Sequence, residues 1–471
     1  MKYDYHIIVI GAGSGGLVVA SGAAGLGAKV ALIEKGKMGG DCLNYGCVPS
    51  KTFLKSAHLA KDIKAAEKYG LAAGLNQVDA KNIMDRVQQI IAEIAPNDSK
   101  ERYQGLGVNV INGAAKILDE HTVEVDNKKL TAKYLVISTG AKPRVPDIKG
   151  IENISYYTNE TIFDLTSLPK HLIVIGTGPI GLELGQGFAH LGTQVSMVGH
   201  AGRLFPKDDP EVWPIMEKVI KDDGIKLYMN AETNEVRKNK NEIELDITID
   251  DKKTTITGDA FLVVPGRVPD NSLLEASKIK IDTDKRGYIK TNPYLQTSVK
   301  NIYAVGDCTG AFQFTHMAAY QAGLVIRNTL FPFQSKLNYS QVPWTTYTKP
   351  EVAHVGYTQP WAEKEGLYQD SIIINLEDND RAKSENDRIG FLKLILGKKS
   401  RLIGATMVGE KAGEIIPIAT LAIKQKLKAN AFMSLIFSYP TEAEIFKTAS
   451  LHYVKKGFKP WMKELIRRVL L

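Results

Sequence analysis

The chain has 471 residues, a length typical of about three domains. Its 44% apolar and 24% charged residues are ordinary for a globular protein and exclude wholesale disorder. The formal charge is +8, but six basic side chains and one acidic side chain lie between residues 451 and 471, so the body is nearly neutral. A neutral body argues against nucleic-acid binding. The three cysteines, Cys42, Cys47 and Cys308, argue against a secreted disulfide scaffold and favour a reducing, cytoplasmic setting.

An internal repeat organises the first half of the chain. Residues 7–16, IIVIGAGSGG, return 165 positions later as residues 172–181, LIVIGTGPIG. Each copy predicts a strand, a Gly-rich turn, a helix and a second strand. The first glycine permits a tight turn, the second lets a phosphate approach the backbone, and the third lets the helix pack on the strand. We therefore predict two dinucleotide sites, each with pyrophosphate at a helix N-terminus. The glycines are Gly11, Gly13 and Gly16 in the first copy and Gly176, Gly178 and Gly181 in the second.

The second strand of each copy should end in a residue that contacts the adenosine ribose. In the first copy this residue is Glu34, whose carboxylate can accept hydrogen bonds from both ribose hydroxyls. A solvated strand-end carboxylate is the alternative. In the second copy Gly199 takes this position and is followed by His200 and Arg203. Because the second copy lacks a carboxylate that would repel a 2′-phosphate, we predict different nucleotides in the two sites and a slight preference for NADPH in the second.

Two cysteines follow the first copy in the segment GGDCLNYGCVPSK, residues 39–51. Cys42 and Cys47 are five positions apart, which does not fit the usual spacing of metal ligands, and we predict no metal site. The pair lies shortly after Glu34, on the stretch that leads back over a bound dinucleotide. Glycines before the pair and Pro49 after it shape this segment. The pattern favours a redox pair over two ordinary thiols.

With these motifs the sequence resembles the flavoprotein disulfide reductases, the family of dihydrolipoamide dehydrogenase, glutathione reductase and mercuric reductase. The resemblance covers nearly the whole chain. Further similar segments are STGAKPRVP (138–146), VVPGRVPDN (263–271), IYAVGDCTG (302–310), THMAAYQAG (315–323) and YTKPEVAHVG (347–356).

The resemblance implies an α/β fold with two Rossmann-like dinucleotide-binding domains, for FAD and NAD(P), and a C-terminal α+β dimerisation domain. The implied boundaries are 1–147 and 272–338 for the two parts of the FAD domain, 148–271 for the NAD(P) domain and 339–471 for the dimerisation domain. The protein would be a homodimer whose active site is shared across the interface.

The resemblance also implies the path of electrons, from NAD(P)H through FAD to a Cys42–Cys47 disulfide and on to an acceptor. Cys47 would lie nearest the flavin and Cys42 would meet the substrate. Lys51 would lie beside the flavin, where a cation stabilises negative charge on the reduced ring, and would pair with Glu183. Cys308 is expected to be a buried packing residue. FAD would be held by Gly11, Gly13, Gly16, Glu34, Gly40, Thr139, Gly140 and Asp307, and NAD(P) by Gly176, Gly178, Gly181, His200, Arg203 and Gly266.

The sequence departs from its dithiol-oxidising relatives near the C-terminus. Those enzymes have a His-Pro-Thr segment that supplies a catalytic base to the partner subunit, and a Glu five residues later orients the His. Here FSYPTEAEIF, residues 437–446, keeps Glu444 but has Tyr439 in place of the His. A Tyr at this point resembles mercuric reductases. Because its ordinary pKa is near 10, it is a poor base at neutral pH, although it can donate a hydrogen bond or ligate a metal.

We therefore expect reduction of an electrophilic acceptor, a small molecule or a metal ion, in preference to oxidation of dihydrolipoamide. A structural Tyr439, with the base elsewhere, is the alternative. Mercuric reductases usually carry a vicinal cysteine pair at the C-terminus, whereas this sequence ends in RRVLL. The competing functions are a dihydrolipoamide dehydrogenase and, from another class, a slow redox-sensing FAD-binding or membrane-surface protein.

The last residues predict a short amphipathic helix over 461–470, with apolar side chains on one side and Lys463, Glu464, Arg467 and Arg468 on the other. Packing of this basic helix on the dimer is favoured over contact with a membrane surface, because about eleven residues are few for stable anchoring.

Overall fold

The computed structural model describes residues 3–75, 77–458, 461 and 467–468. They form two compact units, the first from the described residues of Met1–His200 and Ile225–Leu337 and the second from those of Ala201–Gly224 and Asn338–Leu471. The basic helix expected over residues 461–470 lies almost wholly outside the described residues. In the part of the chain that is described, no helix has the length and apolar character needed to cross a membrane.

Strands and helices occur throughout the described residues. In chain order the strands are β1 (Tyr5–Ile10), β2 (Val30–Glu34), β3 (Val108–Asn112), β4 (Lys116–Ile117), β5 (Thr122–Val125), β6 (Lys128–Ile137), β7 (Ala141–Pro143), β8 (His171–Ile175), β9 (Gln194–Val198), β10 (Lys226–Tyr228), β11 (Glu232–Asn239), β12 (Glu242–Ile249), β13 (Lys252–Gly258), β14 (Ala260–Val263), β15 (Arg267–Pro269), β16 (Ile302–Ala304), β17 (Pro343–Thr346), β18 (Glu351–Gly356), β19 (Asp370–Asn375), β20 (Phe391–Gly397) and β21 (Arg401–Gly409). The α-helices are α1 (Ser14–Gly25), α2 (Gly40–Asn44), α3 (Cys47–Lys64), α4 (Ala80–Ile94), α5 (Lys100–Gly105), α6 (Pro179–His190), α7 (Val212–Asp222), α8 (Ser272–Ala276), α9 (Thr315–Leu330), α10 (Gln359–Lys364), α11 (Asp380–Glu385), α12 (Ala412–Ile415), α13 (Pro417–Lys424) and α14 (Ile445–Gly457).

The first sheet has the strand order β3-β2-β1-β6-β5-β4, and β16 also pairs with β6. Strands β3, β2, β1, β6 and β16 are parallel to one another. Strand β1 is buried on both sides, because Ile7 and Val9 belong to one core and Ile8 and Ile10 to another. A strand covered on both faces must be apolar throughout, which explains the uninterrupted IIVI run.

The second sheet, β10-β9-β8-β14, repeats the order and direction of the first. Ile7 pairs with Val30 in the first sheet, and Leu172 pairs with Val195 in the second, so both pairs keep the 165-residue offset. Helices α1 and α6 begin and end at the same offset. The structure therefore confirms two Rossmann-like units in an α/β fold.

The second compact unit is built on the antiparallel sheet β17-β18-β21-β20-β19. Strands β19, β20 and β21 and helices α12, α13 and α14 supply most of its apolar core. Helix α7 also belongs to this unit, although in the sequence it lies between β9 and β10 of the second Rossmann-like sheet.

A buried ionic cluster joins the segment 201–224 to this antiparallel sheet. The Lys393 ammonium is fully buried and lies 3.2 Å from a carboxylate oxygen of Asp209 and 2.8 Å from one of Glu211. The Thr406 hydroxyl donates to Asp209, and His354 Nδ1 lies 2.7 Å from the same hydroxyl. Burial lowers the pKa of His354 to about 4, so this imidazole is neutral at pH 7. Buried charges are costly unless they are paired, so these contacts require the segment and the sheet to stay together.

Candidate active site

The first dinucleotide cradle lies where β1 meets α1. Gly11 has φ of +104°, and a Cβ there would come within 2.4 Å of the Ser138 carbonyl oxygen. A Cβ on Gly16 would lie 1.9 Å from the Gly11 carbonyl oxygen, so the helix approaches the strand too closely for any side chain. By contrast, a Cβ on Gly13 would meet only Gly40, at 3.9 Å. The turn therefore has one open side at the N-terminus of α1, which is the arrangement that a pyrophosphate requires.

Glu34 is held firmly at the end of β2. Its carboxylate accepts a hydrogen bond from the Ala12 N–H at 2.6 Å and one from the Gly36 N–H at 2.7 Å. The carboxylate is thereby fixed beside the Gly-rich turn, where the ribose of a bound dinucleotide would lie.

Asp307 and the loop after β6 line the continuation of this cradle. Asp307 lies in the short 3-10 helix Gly306–Thr309, and burial raises its pKa to about 6, an effect that Arg267 opposes and Asp41 reinforces. Thr139 and Gly140 follow β6; Gly140 has φ of +70° and a Cβ there would meet nothing within 4 Å. Asp307, Thr139 and Gly140, together with Glu34 and the Gly-rich turn beside it, offer hydrogen-bonding groups and open space that fit FAD. Bound there, FAD would supply a two-electron relay between NAD(P)H and the cysteines.

The cysteine pair spans two helices of the first unit. Cys42 lies in α2 and Cys47 is the first residue of α3. In the dithiol form, the hydrogen bond from the Cys42 thiol is the largest of the contacts that lower the pKa of Cys47 to about 6. Thr315, 3.5 Å from Cys47 Sγ, and Lys51 act in the same direction, and burial and Asp41 oppose them. The pKa of Cys42 is raised, chiefly by the same hydrogen bond. At neutral pH, Cys47 is therefore the thiolate and Cys42 holds the proton.

Lys51 lies one turn after Cys47 on the same face of α3. Its ammonium contacts the Glu183 carboxylate at 2.8 Å, and the Glu183 side chain is only 7% exposed. Glu183 belongs to α6, and close packing brings α6 against α3, since a Cβ on Gly187 would lie 2.6 Å from the Phe53 ring. The expected Lys51–Glu183 pair is thus formed in the structure.

Arg267 links the cysteine loop to Asp307, a connection that no sequence motif indicated. Its guanidinium lies 3.2 Å from Asp41 and 3.8 Å from Asp307, and it donates to the Ala141 carbonyl oxygen. The contact of Thr315 with Cys47 was not expected either. Both residues stand in segments that carried the resemblance, but only tertiary pairing shows which side chains they contact.

Cys308, the third cysteine, is buried, and burial raises its pKa to about 12. Its thiol donates to the Val305 carbonyl oxygen at 3.2 Å. These contacts fit a packing role.

The second dinucleotide cradle reproduces the first. Gly176 has φ of +116° and its Cβ would lie 2.5 Å from the Val264 carbonyl oxygen, while a Cβ on Gly181 would lie 1.9 Å from that of Gly176. Around Gly178 and Gly266 a Cβ would meet nothing within 4 Å, so both face open space. The open turn at the N-terminus of α6 fits the pyrophosphate of NAD(P)H. His200 is exposed just beyond β9, whereas Arg203 belongs to the second compact unit.

Tyr439 and Glu444 lie in the second compact unit. The Tyr439 side chain is 72% exposed, and its hydroxyl donates to the Asp380 carboxylate of α11 at 3.1 Å. That hydrogen bond and the Asp380 charge, with a smaller effect from Glu444, raise the pKa of Tyr439. Glu444 ends the 3-10 helix Glu442–Glu444 that precedes α14. No motif pointed to Asp380, which is 59 residues away. The phenol is therefore protonated at neutral pH and acts as a donor.

Two Rossmann-like cradles, a cysteine pair that follows the first of them in the chain and a C-terminal antiparallel unit define a two-nucleotide redox enzyme. Sequence comparison agrees: residues 5–322 match the family described as pyridine nucleotide-disulphide oxidoreductase, and residues 342–450 match its dimerisation domain. The chain belongs to this family. It is an NAD(P)H-dependent flavoprotein disulfide oxidoreductase that uses FAD, and the dimerisation domain supports a homodimer.

Three relatives illustrate the range of the family. A mercuric reductase from Lysinibacillus sphaericus is 34% identical over 97% of this chain and 84% of its own length. A dihydrolipoyl dehydrogenase from Geobacillus stearothermophilus is 32% identical over 95% of this chain and 96% of its own length. Among solved structures, the HOCl-induced flavoprotein disulfide reductase RclA from Escherichia coli has a TM-score of 0.84 at 26% identity, covering 94% of this chain and 99% of its own.

Proposed function

We propose that this enzyme carries electrons from NAD(P)H through FAD and the Cys42–Cys47 pair to an electrophilic acceptor, a metal ion or a quinone-like compound. The observation that supports this acceptor class most directly is Tyr439. It replaces the basic histidine of the dithiol-oxidising relatives, and its hydrogen bond to Asp380 keeps the phenol protonated. A protonated phenol cannot remove a proton from an incoming dithiol at neutral pH.

The residues of the chain divide the chemistry between them. Glu34 and the glycine turns orient the dinucleotides, and Lys51, held by Glu183, places a cation at the end of the cysteine pair. Cys47 holds the negative charge of the reduced pair and Cys42 holds its proton. As the Cys42–Cys47 disulfide forms again, the pair gives two electrons to one two-electron acceptor or to two Cu(II) ions, and its proton goes to an oxygen of the acceptor or, with a metal ion, to solvent.

Tyr439 is proposed to act at the acceptor side of this pair, across the dimer interface. From there its hydroxyl would leave Asp380 to donate a hydrogen bond to an acceptor oxygen, or would ligate a metal ion that displaces the phenolic proton. Glu444 is proposed to keep the position that would orient a base. A reducing, cytoplasmic compartment suits a pair that must cycle between thiol and disulfide.

The relatives support a metal ion as one member of the acceptor class. One relative is a mercuric reductase, and the RclA structure has also been determined as a Cu(II) complex. Cys308, buried in the first unit, is not available to deliver a metal to Cys42. Quinone-like acceptors therefore belong in the same test.

Steady-state turnover of the holoenzyme with Hg(II), Cu(II), a naphthoquinone and dihydrolipoamide tests the proposal. Wild type should reduce at least one electrophilic acceptor rapidly and oxidise dihydrolipoamide slowly. Tyr439→His should gain dithiol oxidation by about 10²-fold or more, the size of a positioned general base. Tyr439→Phe should slow the acceptor reaction and leave anaerobic flavin reduction by NAD(P)H intact.

Tyr368→Phe is the matched control, because it removes a hydroxyl that contacts Ser371 elsewhere in the second unit. It should behave as wild type with every acceptor. Rapid oxidation of dihydrolipoamide by wild type, unchanged in Tyr439→Phe, would instead identify a dihydrolipoamide dehydrogenase. Slow turnover with every acceptor would favour a redox-sensing role.

A further inference from the structure

The two dinucleotide units differ at one pair of positions that the 165-residue offset makes equivalent. In the first unit the pair is Ala12 and Glu34, and in the second it is Thr177 and Gly199. Ala12 has the smaller side chain, and its N–H donates to the Glu34 carboxylate at 2.6 Å. In the second dinucleotide unit the larger side chain, that of Thr177, lies on the Gly-rich turn, and Gly199, just after β9, has no side chain.

The Thr177 side chain fills the space beside Gly199. A Cβ on Gly199 would lie 2.4 Å from Thr177 Oγ1, 2.8 Å from its Cγ2 and 3.2 Å from its Cβ. All three of these atoms belong to Thr177, so this one residue excludes a side chain at the strand end. Gly199 does not have the positive φ that favours glycine, and the backbone would accept another residue there.

Neither residue can move easily out of this contact. Thr177 is 9% exposed, and the Gly199 backbone is bound on both sides, through its N–H to the Tyr228 carbonyl oxygen at 2.9 Å and through its carbonyl oxygen to the Ala231 N–H at 3.0 Å. The clash would therefore be relieved by removing Thr177 atoms more readily than by moving the strand.

We propose that Thr177 and Gly199 are the specificity-determining pair of the nicotinamide site. Thr177 occupies the room in which an acidic ribose-binding side chain would begin, so the end of β9 carries no carboxylate to repel a 2′-phosphate. Preference for NADH can be acquired only when both residues change. The proposal rests on the binding of NAD(P)H by the second dinucleotide unit, which contains Thr177 and Gly199, and not on the identity of the acceptor.

Binding of NADP⁺ and NAD⁺ to the oxidised holoenzyme by titration calorimetry tests the pair without any acceptor. Wild type should bind NADP⁺ at least as tightly as NAD⁺. Thr177→Ala should change the ratio of the two dissociation constants by less than about threefold, because it adds no carboxylate. Thr177→Ala/Gly199→Glu should shift the ratio toward NAD⁺ by about tenfold or more, whereas Gly199→Glu alone should shift it by much less.

A second measurement tests the steric contact itself. Gly199→Ala should lower the thermal unfolding midpoint, and Thr177→Ala should restore it in the double variant. Thr193→Ala, made in the Gly199→Ala background, is the matched control. It removes a buried threonine hydroxyl that donates to the Pro169 carbonyl oxygen in the same dinucleotide unit, and it should not restore the unfolding midpoint that Gly199→Ala lowers.

Four results would overturn the pairing. They are tenfold tighter NAD⁺ binding by wild type, a full shift with Gly199→Glu alone, no shift in the double Glu variant, and an unchanged midpoint in Gly199→Ala. If the acceptor assignment fails, these binding and unfolding results are unaffected.

Discussion

The ionisation of Cys47 is the property of the site that follows most directly from its contacts. The Cys42 thiol makes the largest contribution to lowering its pKa to about 6, Thr315 contributes less and Lys51 less again, while burial and, more weakly, Asp41 oppose them. At pH 7 a pKa of about 6 leaves roughly 90% of Cys47 as thiolate, whereas an ordinary thiol with a pKa near 8.5 would be about 3% ionised. The pH at which Cys47 is half ionised should therefore respond to each neighbour in a fixed order.

Alkylation of the reduced, anaerobic enzyme by iodoacetamide as a function of pH measures that midpoint. The midpoint of the profile is compared, because the reactivity of a thiolate itself rises with its pKa. Cys42→Ser keeps an O–H donor and should stay near wild type, while Cys42→Ala should move the midpoint toward about 8.5. Thr315→Val and Lys51→Met should give smaller rises, and Asp41→Asn should lower it. Cys308 is buried and should not contribute. A midpoint that stays near 6 in Cys42→Ala, or that rises in Asp41→Asn, would refute this account of the site.

Three further outcomes are expected. Glu34→Gln should weaken FAD binding about tenfold or more, measured as the ratio of flavin to protein after dialysis, because an amide accepts only through one oxygen; retention of full FAD would contradict the role of the carboxylate. Lys393→Met should destabilise the second compact unit by about 3 kcal/mol or more, measured by denaturant unfolding. Lys393→Met/Asp209→Asn should recover part of the loss, since the buried carboxylate that Lys393 paired is then absent as well. As the pH falls from 6.5 to about 4, His354 should lower the free energy of unfolding, because its pKa is lowered in the folded state and the unfolded state takes up the proton first. The measurement is the steeper loss of stability of wild type than of His354→Gln over this range. Asp208, whose pKa burial raises to about 6, acts in the opposite direction in both proteins and cancels from the comparison.

Much of the fold could be predicted from the sequence because its signals are local. Glycine spacing and apolar runs in residues 7–34 and 172–199 indicate a strand, turn, helix and strand, and the constant offset extends to strand register. The Lys51–Glu183 pair was expected only through the family resemblance, because its partners are 132 residues apart.

The contacts that could not be predicted join residues distant in the sequence. Arg267 meets Asp41 across 226 positions of the chain, and Asp209 meets Lys393 across 184. Neither pair follows a periodic pattern in the sequence. A sequence also does not distinguish a charged residue that is buried in an ion pair from one that is solvated. Thr177 is a different case, because its role depends on the missing side chain at Gly199 and on the short distance between the two positions in the fold.

The burial of Lys393 has a consequence for how the chain can be divided. A fragment that begins at Asn338 would contain every strand of the antiparallel sheet, yet it would lack the carboxylates of Asp209 and Glu211. Its ammonium would face a dry interior without counterions. The compact unit is therefore discontinuous in sequence, and a synthetic peptide spanning residues 201–224 should complement the fragment.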